Sequence, residues 1–327
     1  MKALVKAFSD QIQKALTITD LTSLIPNTKT IQNVLIGGLG GSGIGGTIVK
    51  QLVKNNANVP IETNKDYDIP NYVDHHTLVI ASSYSGNTEE TLEMVEKAQK
   101  KGAEIVCITS GGKLKEIALK NNYNYIEVPG GIPPRAAFGY TFPQLFYVLK
   151  HYGIITVDFK SEFIKANQLI ATEEASIQQL ALNIAKQLLN KTTVVYSPAV
   201  FEGLTTRFRQ QLNENAKELC WNHVVPEMNH NELVGWRRDY NNLAVVFVND
   251  SGIYFRVKKR MEIVKEIVSK YTDTVIDIET KGDTIIQKAI YLIHLFDWIS
   301  VYLADLKQID PVEINVINYL KEELGKI

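Results

Sequence analysis

The chain has 327 residues, 45% of them hydrophobic, so it can bury a substantial core, and its length predicts two domains or two halves of one. Its 35 basic residues balance 36 acidic ones, which excludes the charge excess typical of nucleic-acid-binding proteins and of acidic solvating tails. We therefore expect no nucleic-acid partner, and a ligand would bind at a local site.

The two cysteines and the N-terminal segment indicate a reducing cytoplasm. Cys107 and Cys220 lie far apart in apolar surroundings, which favours neither a disulfide framework nor a cysteine-based zinc site. The start MKALVKAFSDQIQKAL lacks the long apolar stretch and small-residue cleavage site of a secretory signal, and no run approaches membrane-spanning length. We expect a cytoplasmic protein without a membrane partner.

Strand-like apolar runs alternate with helical segments in the first half of the chain. The runs are NVLIGGLG, VPIET, TLVIASS, EIVCITS and YIEVP. This alternation predicts βαβ units and a parallel sheet. After a helical stretch from about 150 to 190, the pattern restarts with TTVVYS, LAVVFVND and TVIDIE. We therefore predict a first α/β domain over 1–150, a helical linker over 151–175 and a related second domain over 176–327.

A dense run of glycines, GGLGGSGIGG at residues 37–46, lies between a predicted strand and a predicted helix. Glycines let the backbone approach a ligand closely, and free amides at a helix start attract anions. Gly38, Gly40 and Gly43 also fit the G-x-G-x-x-G fingerprint of dinucleotide-binding proteins. Such a site needs an acidic residue that binds the ribose, and the sequence has no clear candidate: Glu62 is near the right spacing, but a single glutamate at the end of a strand is common. A tight turn for helix packing is the alternative.

A second polar turn, SSYSGNTEET at residues 82–91, follows another strand of the same predicted sheet. Ser83, Ser85 and Thr88 can donate hydroxyl hydrogen bonds. Gly86 frees the backbone, and a helix begins near Thr88, which aims amides at the same point. This combination favours binding of a phosphate group. The ligand is expected to be a phosphomonoester rather than a nucleotide triphosphate, because the lysine of a nucleotide P-loop does not follow. A helix N-cap explains only one or two of the hydroxyls.

These two turns resemble the phosphosugar signature of the sugar isomerase (SIS) domain. Two further strings narrow the match: GGIPPRAAFGY at 130–140 and QLNENAKELCWNHVVPEMNHNELVGW at 211–236. The four motifs, in this order along essentially the whole chain, resemble the bifunctional phosphoglucose/phosphomannose isomerase family of archaea and some bacteria. The resemblance implies an α/β fold of two SIS subdomains, each a doubly wound parallel sheet flanked by helices. It also implies an active site between them that is completed across a homodimer interface.

The same resemblance implies roles for individual residues. Sugar-phosphate binding falls to five residues of the two turns, Gly41, Ser42, Ser83, Ser85 and Thr88. Arg135 would stabilise an enediolate, Glu214 would be the base and His230 would assist ring opening. Lys307 would serve ring chemistry or ligand contact. Ser300 would be the small hydroxyl residue that leaves room for both epimers.

The chemistry of Arg135 and His230 suits these roles, although each has a simpler alternative. Arg135 is a permanent cation on a segment restricted by two prolines, which suits an oxyanion; a surface salt bridge is the alternative. The imidazole of His230 can move a proton near pH 7, whereas a structural histidine is the alternative and His223 is the nearest rival.

Glu214 lies on a predicted helix over 204–219. The apolar stripe of that helix is Leu204, Phe208, Leu212, Ala216 and Leu219. At about 100° per residue, Glu214 points away from this stripe and by periodicity is a solvated glutamate. A facing domain or subunit would turn that surface into a cleft and make the carboxylate a usable base.

The implied reaction is reversible aldose–ketose isomerisation of glucose 6-phosphate and mannose 6-phosphate with fructose 6-phosphate through a cis-enediol(ate). We expect no metal or cofactor, since the sequence has neither an H-E-x-x-H string nor paired C-x-x-C motifs. Two alternatives remain: an SIS isomerase for another phosphosugar and a non-catalytic phosphosugar sensor. Arg135, Glu214 and His230 together argue against the sensor, which would need none of them.

Overall fold

The computed structural model, which describes residues 1–326, contains two parallel sheets. The first sheet has strands β1 (Asn33–Gly37), β2 (Ile61–Asn64), β3 (Thr77–Ser82), β4 (Glu104–Thr109) and β5 (Asn124–Glu127). Their order is β2-β1-β3-β4-β5, and every neighbouring pair is parallel. Helices cover both faces of the sheet, so its strands are apolar runs rather than alternating patterns.

The helices of the first half are α1 (Lys2–Lys6), α2 (Phe8–Leu21), α3 (Gly40–Val53), α4 (Glu89–Lys100), α5 (Gly112–Asn121) and α6 (Phe138–His151). The chain leaves β1 towards β2 on one side and resumes at β3 on the other, so the winding direction switches between β1 and β3. Ligands of open α/β sheets bind at such a switch point, outside the carboxyl ends of the strands. The glycine turn (37–46) and the serine turn (82–91) both begin there.

The second sheet repeats this arrangement with four strands. They are β6 (Thr192–Pro198), β7 (Trp221–Val225), β8 (Leu243–Asn249) and β9 (Thr274–Glu279). Their order is β7-β6-β8-β9, again with parallel neighbours. The accompanying helices are α8 (Glu202–Ala216), α9 (Phe255–Val268), α10 (Ile285–Leu306) and α11 (Asn315–Leu324). The predicted fold class, two doubly wound parallel sheets flanked by helices, is confirmed.

A long helix, α7 (Phe159–Leu188), connects the two sheets and packs along α10. The side chain of Asp158 accepts a hydrogen bond from the Ser161 amide at its start. One continuous core contains apolar side chains from both sheets and from α7 and α10. The predicted boundary at residue 175 falls inside α7, and the domain limits stay predictions.

Helix α10 differs from the sequence-based expectation. By length and composition its 22 residues could cross a membrane, so the expectation that no run approaches that length is wrong. However, 83% of its most apolar window is buried inside the fold, where it packs on α7 and α8. The apolar character of α10 is therefore accounted for by its place in the core.

Helix α8 ends at Ala216, three residues before the predicted end. Lys217 adopts a left-handed backbone conformation with φ of +53°, which stops the helix. Its Nζ atom donates to the backbone oxygens of Glu214, Asp310 and Glu313 at 2.8–2.9 Å. Leu219, assigned to the apolar stripe, therefore lies outside the helix and is 84% exposed, whereas the other four stripe residues are buried.

Candidate functional site

The glycine and serine turns are in direct contact. The Tyr84 amide donates a hydrogen bond to Ser42 Oγ at 3.0 Å, which links the start of α3 to the serine turn. Ser83 Oγ and Thr88 Oγ1 are 2.9 Å apart and share a hydrogen bond. Ser85 Oγ accepts from the Asn87 amide at 3.3 Å. The structure therefore brings the predicted hydroxyl groups to adjoining positions at the switch point of the first sheet.

The serine turn leads into α4 as predicted. Thr88 is the N-cap residue, but its side chain makes no capping hydrogen bond, so helix capping does not explain its hydroxyl. Gly86 has φ of +69°, and a Cβ atom there would lie 1.8 Å from the Gly111 carbonyl oxygen. Only glycine fits this position, and the turn is packed tightly against the start of α5.

Arg135 lies in a 3-10 turn, Pro134–Ala136, that touches the glycine turn. A Cβ atom at Gly41 would lie 3.1 Å from Arg135 Cα, so the two backbones are in contact. Arg135 is only 5% exposed, and the alternative of a surface salt bridge is therefore wrong.

The guanidinium of Arg135 is held by the second half of the chain. Nε donates to Asn215 Oδ1 at 2.8 Å, and Nη1 donates to Glu214 Oε2 at 3.3 Å. Nη2 donates to the Pro311 carbonyl oxygen at 2.6 Å. Burial lowers the pKa of Arg135, while the carboxylates of Glu214 and Asp310 act in the opposite direction. An arginine keeps its charge in proteins, so the site contains a buried cation.

Glu214 lies in the last turn of α8 and faces the first half of the chain. Its side chain is 28% exposed and pairs with Arg135 through Oε2. Its Oε1 atom has no hydrogen-bond partner within residues 1–326. Periodicity alone describes Glu214 as a solvated residue; the facing segment that makes it part of a cleft is the turn containing Arg135.

Two residues of the C-terminal region come close to the same helix end. Ser300 on α10 is fully buried, and its Oγ accepts a hydrogen bond from Asn215 Nδ2 at 2.9 Å. Lys307, directly after α10, donates to the Ala216 carbonyl oxygen at 3.0 Å and pairs with Glu218. The structure thus brings Arg135, Glu214, Ser300 and Lys307 around the end of α8.

His230 lies apart from this group within one chain. It ends the 3-10 turn Glu227–His230 after β7 and is exposed. No hydrogen bond within the described residues joins it to Arg135, Glu214 or Lys307. Its rival His223 pairs with Glu232, Nδ1 to Oε2 at 2.8 Å, and is partly buried.

Sequence reasoning missed a buried ion pair behind Arg135. Arg207 on α8 binds Asp297 on α10 through two hydrogen bonds of 2.5 and 2.9 Å, and Gln211 Nε2 donates to the same carboxylate. Arg207 also donates to the Arg135 carbonyl oxygen at 3.3 Å. The signal in the sequence is Asp297 itself, a carboxylate in the middle of the apolar helix α10, because a buried charge requires a partner.

Both cysteines are free thiols. Burial raises the pKa of Cys107 to about 12 and that of Cys220 to about 11. Neither thiol is therefore an activated nucleophile at neutral pH.

Family models match each half of the chain. The SIS domain matches residues 30–126, and the bacterial phospho-glucose isomerase C-terminal SIS domain matches residues 177–324. These segments contain the first and the second parallel sheet, respectively.

Individual proteins are similar along most of the chain. A bifunctional phosphoglucose/phosphomannose isomerase from Caldicellulosiruptor bescii is 38% identical, over 97% of both chains. A D-glucosamine-6-phosphate 4-epimerase from Sulfolobus acidocaldarius is 36% identical over 68% of this chain and 70% of that protein. The structure of the C-terminal domain of glucosamine-fructose-6-phosphate aminotransferase from Francisella tularensis shares the fold, with a TM-score of 0.76, 16% identity and coverage of 95% of this chain and 98% of that one. Because a 38% identity extends over both sheets and the segments that carry Arg135 and Glu214, this chain belongs to the bifunctional phosphoglucose/phosphomannose isomerase family.

Proposed function

We propose that this protein interconverts glucose 6-phosphate and mannose 6-phosphate with fructose 6-phosphate. The observation that carries the proposal is the pairing of Glu214 with the buried Arg135, whose backbone touches Gly41 of the glycine turn. A carboxylate whose second oxygen is unpaired within residues 1–326, a buried cation and a turn rich in hydroxyl groups and backbone amides are suited to isomerisation of a sugar phosphate.

The phosphate would bind at the switch point of the first sheet. Its ligands would be Gly41, Ser42, Ser83, Ser85 and Thr88. Amides at the starts of α3 and α4 would add the positive ends of two helix dipoles. This anchor would hold the sugar carbons close to the turn of Arg135.

The proton transfer would take place between C2 and C1 of the open-chain sugar. His230 would help the ring to open by moving a proton between the ring oxygen and the hydroxyl. Glu214 would then take the C2 proton, which leaves a cis-enediolate with its negative charge on O1. Glu214 would return this proton to C1 while the hydroxyl proton of O2 passes to O1, which gives the ketose. Arg135 would stabilise the negative oxygen of the intermediate.

Tolerance for both epimers follows from the planarity of C2 in the enediol. Rotation about the C2–C3 bond would let the proton return to either face, which gives glucose or mannose configuration. The small side chain of Ser300 would leave room for this rotation, and Lys307 would contact the ligand or assist ring chemistry.

The reaction would need neither a metal nor a cofactor. Aldose and ketose are isomers that differ in the positions of two hydrogens and of one carbonyl group, so no external oxidant is consumed. We further propose that the enzyme works in the cytoplasm, as a homodimer with shared active sites, and without a membrane or nucleic-acid partner.

A second candidate is an SIS enzyme that acts on another phosphosugar. The observation in its favour is the 36% identity to a protein named D-glucosamine-6-phosphate 4-epimerase. Glucosamine 6-phosphate therefore belongs in the same assay, beside glucose 6-phosphate and mannose 6-phosphate. If neither glucose 6-phosphate nor mannose 6-phosphate is turned over, the main proposal is refuted. A chelator should leave the activity unchanged, because the proposed reaction needs no metal. Binding of a sugar phosphate without turnover of any of the three would support a sensor.

The replacement Glu214→Gln tests the proposed base. It keeps the size of the side chain but cannot accept the C2 proton, so isomerisation of both epimers should fall together by roughly 10²–10⁴-fold, while substrate binding persists. The measurement is turnover together with deuterium uptake from solvent at C1 or C2. His230→Ala should differ, since its defect should shrink for a sugar phosphate that cannot cyclise.

Glu202→Gln, at the exposed start of the same helix, is the matched control and should leave both readings unchanged. Near-normal proton exchange in Glu214→Gln would move the base elsewhere. Glu218 and Glu232 are the first alternatives, although they pair with Lys307 and His223, respectively.

A further inference from the structure

Buried hydrogen bonds form a closed ring that begins and ends at Arg135. Arg135 Nε donates to Asn215 Oδ1 at 2.8 Å, and Asn215 Nδ2 donates to Ser300 Oγ at 2.9 Å. Ser300 Oγ donates to the Asp297 carbonyl oxygen at 2.8 Å. The Asp297 carboxylate binds Arg207, which returns a hydrogen bond to the Arg135 carbonyl oxygen.

The ring is shielded from water. Each of its five residues is at most 5% exposed. Within residues 1–326, none of their buried side-chain nitrogen or oxygen atoms lacks a hydrogen-bond partner. A polar network that is buried and fully satisfied holds its members in one arrangement, because an unpaired group at low dielectric is costly.

The direction of each hydrogen bond in the ring is determined by its neighbour. The single hydroxyl proton of Ser300 is used on the Asp297 carbonyl oxygen, so Ser300 Oγ can only accept from Asn215. The amide NH₂ of Asn215 must therefore face Ser300. Its carbonyl oxygen then faces Arg135, whose Nε is a donor and needs an acceptor.

We propose that Asn215 is a positioning residue for Arg135 and that Ser300 sets the orientation of the Asn215 amide. The inference rests on the proposed role of Arg135 at the enediolate. Glu214 and Asn215, adjacent in sequence, hold the guanidinium through Nη1 and Nε and so fix the plane in which it meets a ligand. Ser300 then acts from behind the site, through its hydroxyl, as well as through its small size.

The variant Asn215→Ala removes the acceptor for Arg135 Nε. A misplacement of about 1 Å can cost on the order of 10²-fold in rate, so we expect kcat to fall by roughly 10–100-fold. KM should change by less than about 3-fold, because the phosphate ligands lie on other elements. The matched control is Asn124→Ala, which removes another buried asparagine, bonded to Ile25 and Tyr152 at the start of β5. It should leave kcat unchanged.

Ser300 offers a conservative pair of variants. Ser300→Ala removes the acceptor for Asn215 and should lower kcat in the same direction as Asn215→Ala. Ser300→Thr retains both the hydroxyl and a small side chain, and should restore most of the rate. Equal rates for the alanine and threonine variants would overturn the role of the hydroxyl.

Arg135→Lys provides the coupling test. Lysine keeps a positive charge but has no Nε–H group, so Asn215→Ala should cause no further loss of kcat in that background. Losses that multiply would show that Asn215 acts independently of Arg135 and would overturn the proposal.

A spectroscopic reading separates this proposal from the proposed function. In protein labelled with ¹⁵N-arginine, the Nε–H signal of Arg135 is identified by its loss in Arg135→Lys. It should exchange slowly with solvent in the wild type and in Asn124→Ala, and much faster in Asn215→Ala. Unchanged exchange in Asn215→Ala overturns the positioning role, whereas a wild-type protein inactive on both hexose phosphates overturns the function alone.

Discussion

The hydroxyl groups of the serine turn retain hydrogen-bonding capacity for a ligand. Ser83 and Thr88 share one hydrogen bond, which uses one of their two hydroxyl protons. Among the residues that the structure describes, the other proton has no acceptor, and the Ser85 hydroxyl accepts from the Asn87 amide without donating its own proton. Two hydroxyl donors can therefore turn to an anion while the hydrogen bond between Ser83 and Thr88 stays in place.

The double variant Ser83→Ala with Thr88→Ala tests phosphate binding. Each lost hydrogen bond to a charged group should weaken binding by about 1.5–3 kcal/mol, so KM should rise more than kcat falls. The measurement is steady-state kinetics with fructose 6-phosphate. Thr17→Ala with Ser176→Ala removes two exposed helix hydroxyls as a control. An unchanged affinity in the serine-turn variant would contradict the assignment.

The contact between α8 and α10 depends on a buried ion pair. Arg207 pairs with both carboxylate oxygens of Asp297. The Cζ atom of Arg207 also lies 4.6 Å from the ring centroid of Phe138. The pair joins two helices of the second half to the backbone of the Arg135 turn. Removal of one partner should lower the stability of the fold, because the other charge is then left unpaired in the core.

Arg207→Met should lower the free energy of unfolding by about 3–5 kcal/mol, since Asp297 loses its counter-ion. Arg207→Met with Asp297→Leu should recover much of that loss, because no unpaired charge remains. Urea unfolding measures both. Lys265→Met, which breaks an exposed pair with Asp277, is the control and should cost about 0–1 kcal/mol. A similarly small loss for Arg207→Met would show that Asp297 is solvated.

The position of His230 bears on the assembly of the whole molecule. Within one chain it lies on an exposed turn after β7, and no hydrogen bond among residues 1–326 joins it to the group around α8. A homodimer with shared sites would bring His230 of one protomer to Glu214 of its partner. An isologous interface creates two equivalent sites of this kind.

Mixing the two impaired variants, Glu214→Gln and His230→Ala, tests this arrangement. In a hybrid of Glu214→Gln and His230→Ala protomers, one of the two shared sites contains both native residues. After unfolding and refolding together, random pairing should restore about a quarter of the wild-type activity on a cyclic substrate. Each variant refolded alone is the control. No recovery in mixtures that do contain hybrid dimers would place both residues in one protomer.

Features that depend on local periodicity and on single-residue conformations could be predicted from the sequence alone. Strand-like apolar runs that alternate with helical segments predicted two parallel sheets, because this alternation is typical of βαβ units. Glycine and hydroxyl residues after β1 and β3 predicted the two turns, and the two prolines predicted a conformationally restricted segment at Arg135, which is a 3-10 turn in the structure. The four motifs also indicated the family before any contact was known.

Which side chains meet could be seen only in the folded chain. Arg135, Asn215 and Ser300 are separated by 80 and 85 positions, and no local pattern shows that they share hydrogen bonds. The same is true of Glu214, which periodicity assigned to solvent, and of α10, whose apolar sequence fits a membrane span as well as a core helix. Packing of the two halves settles these points, because burial and pairing depend on what lies opposite a residue, which its neighbours in sequence do not specify.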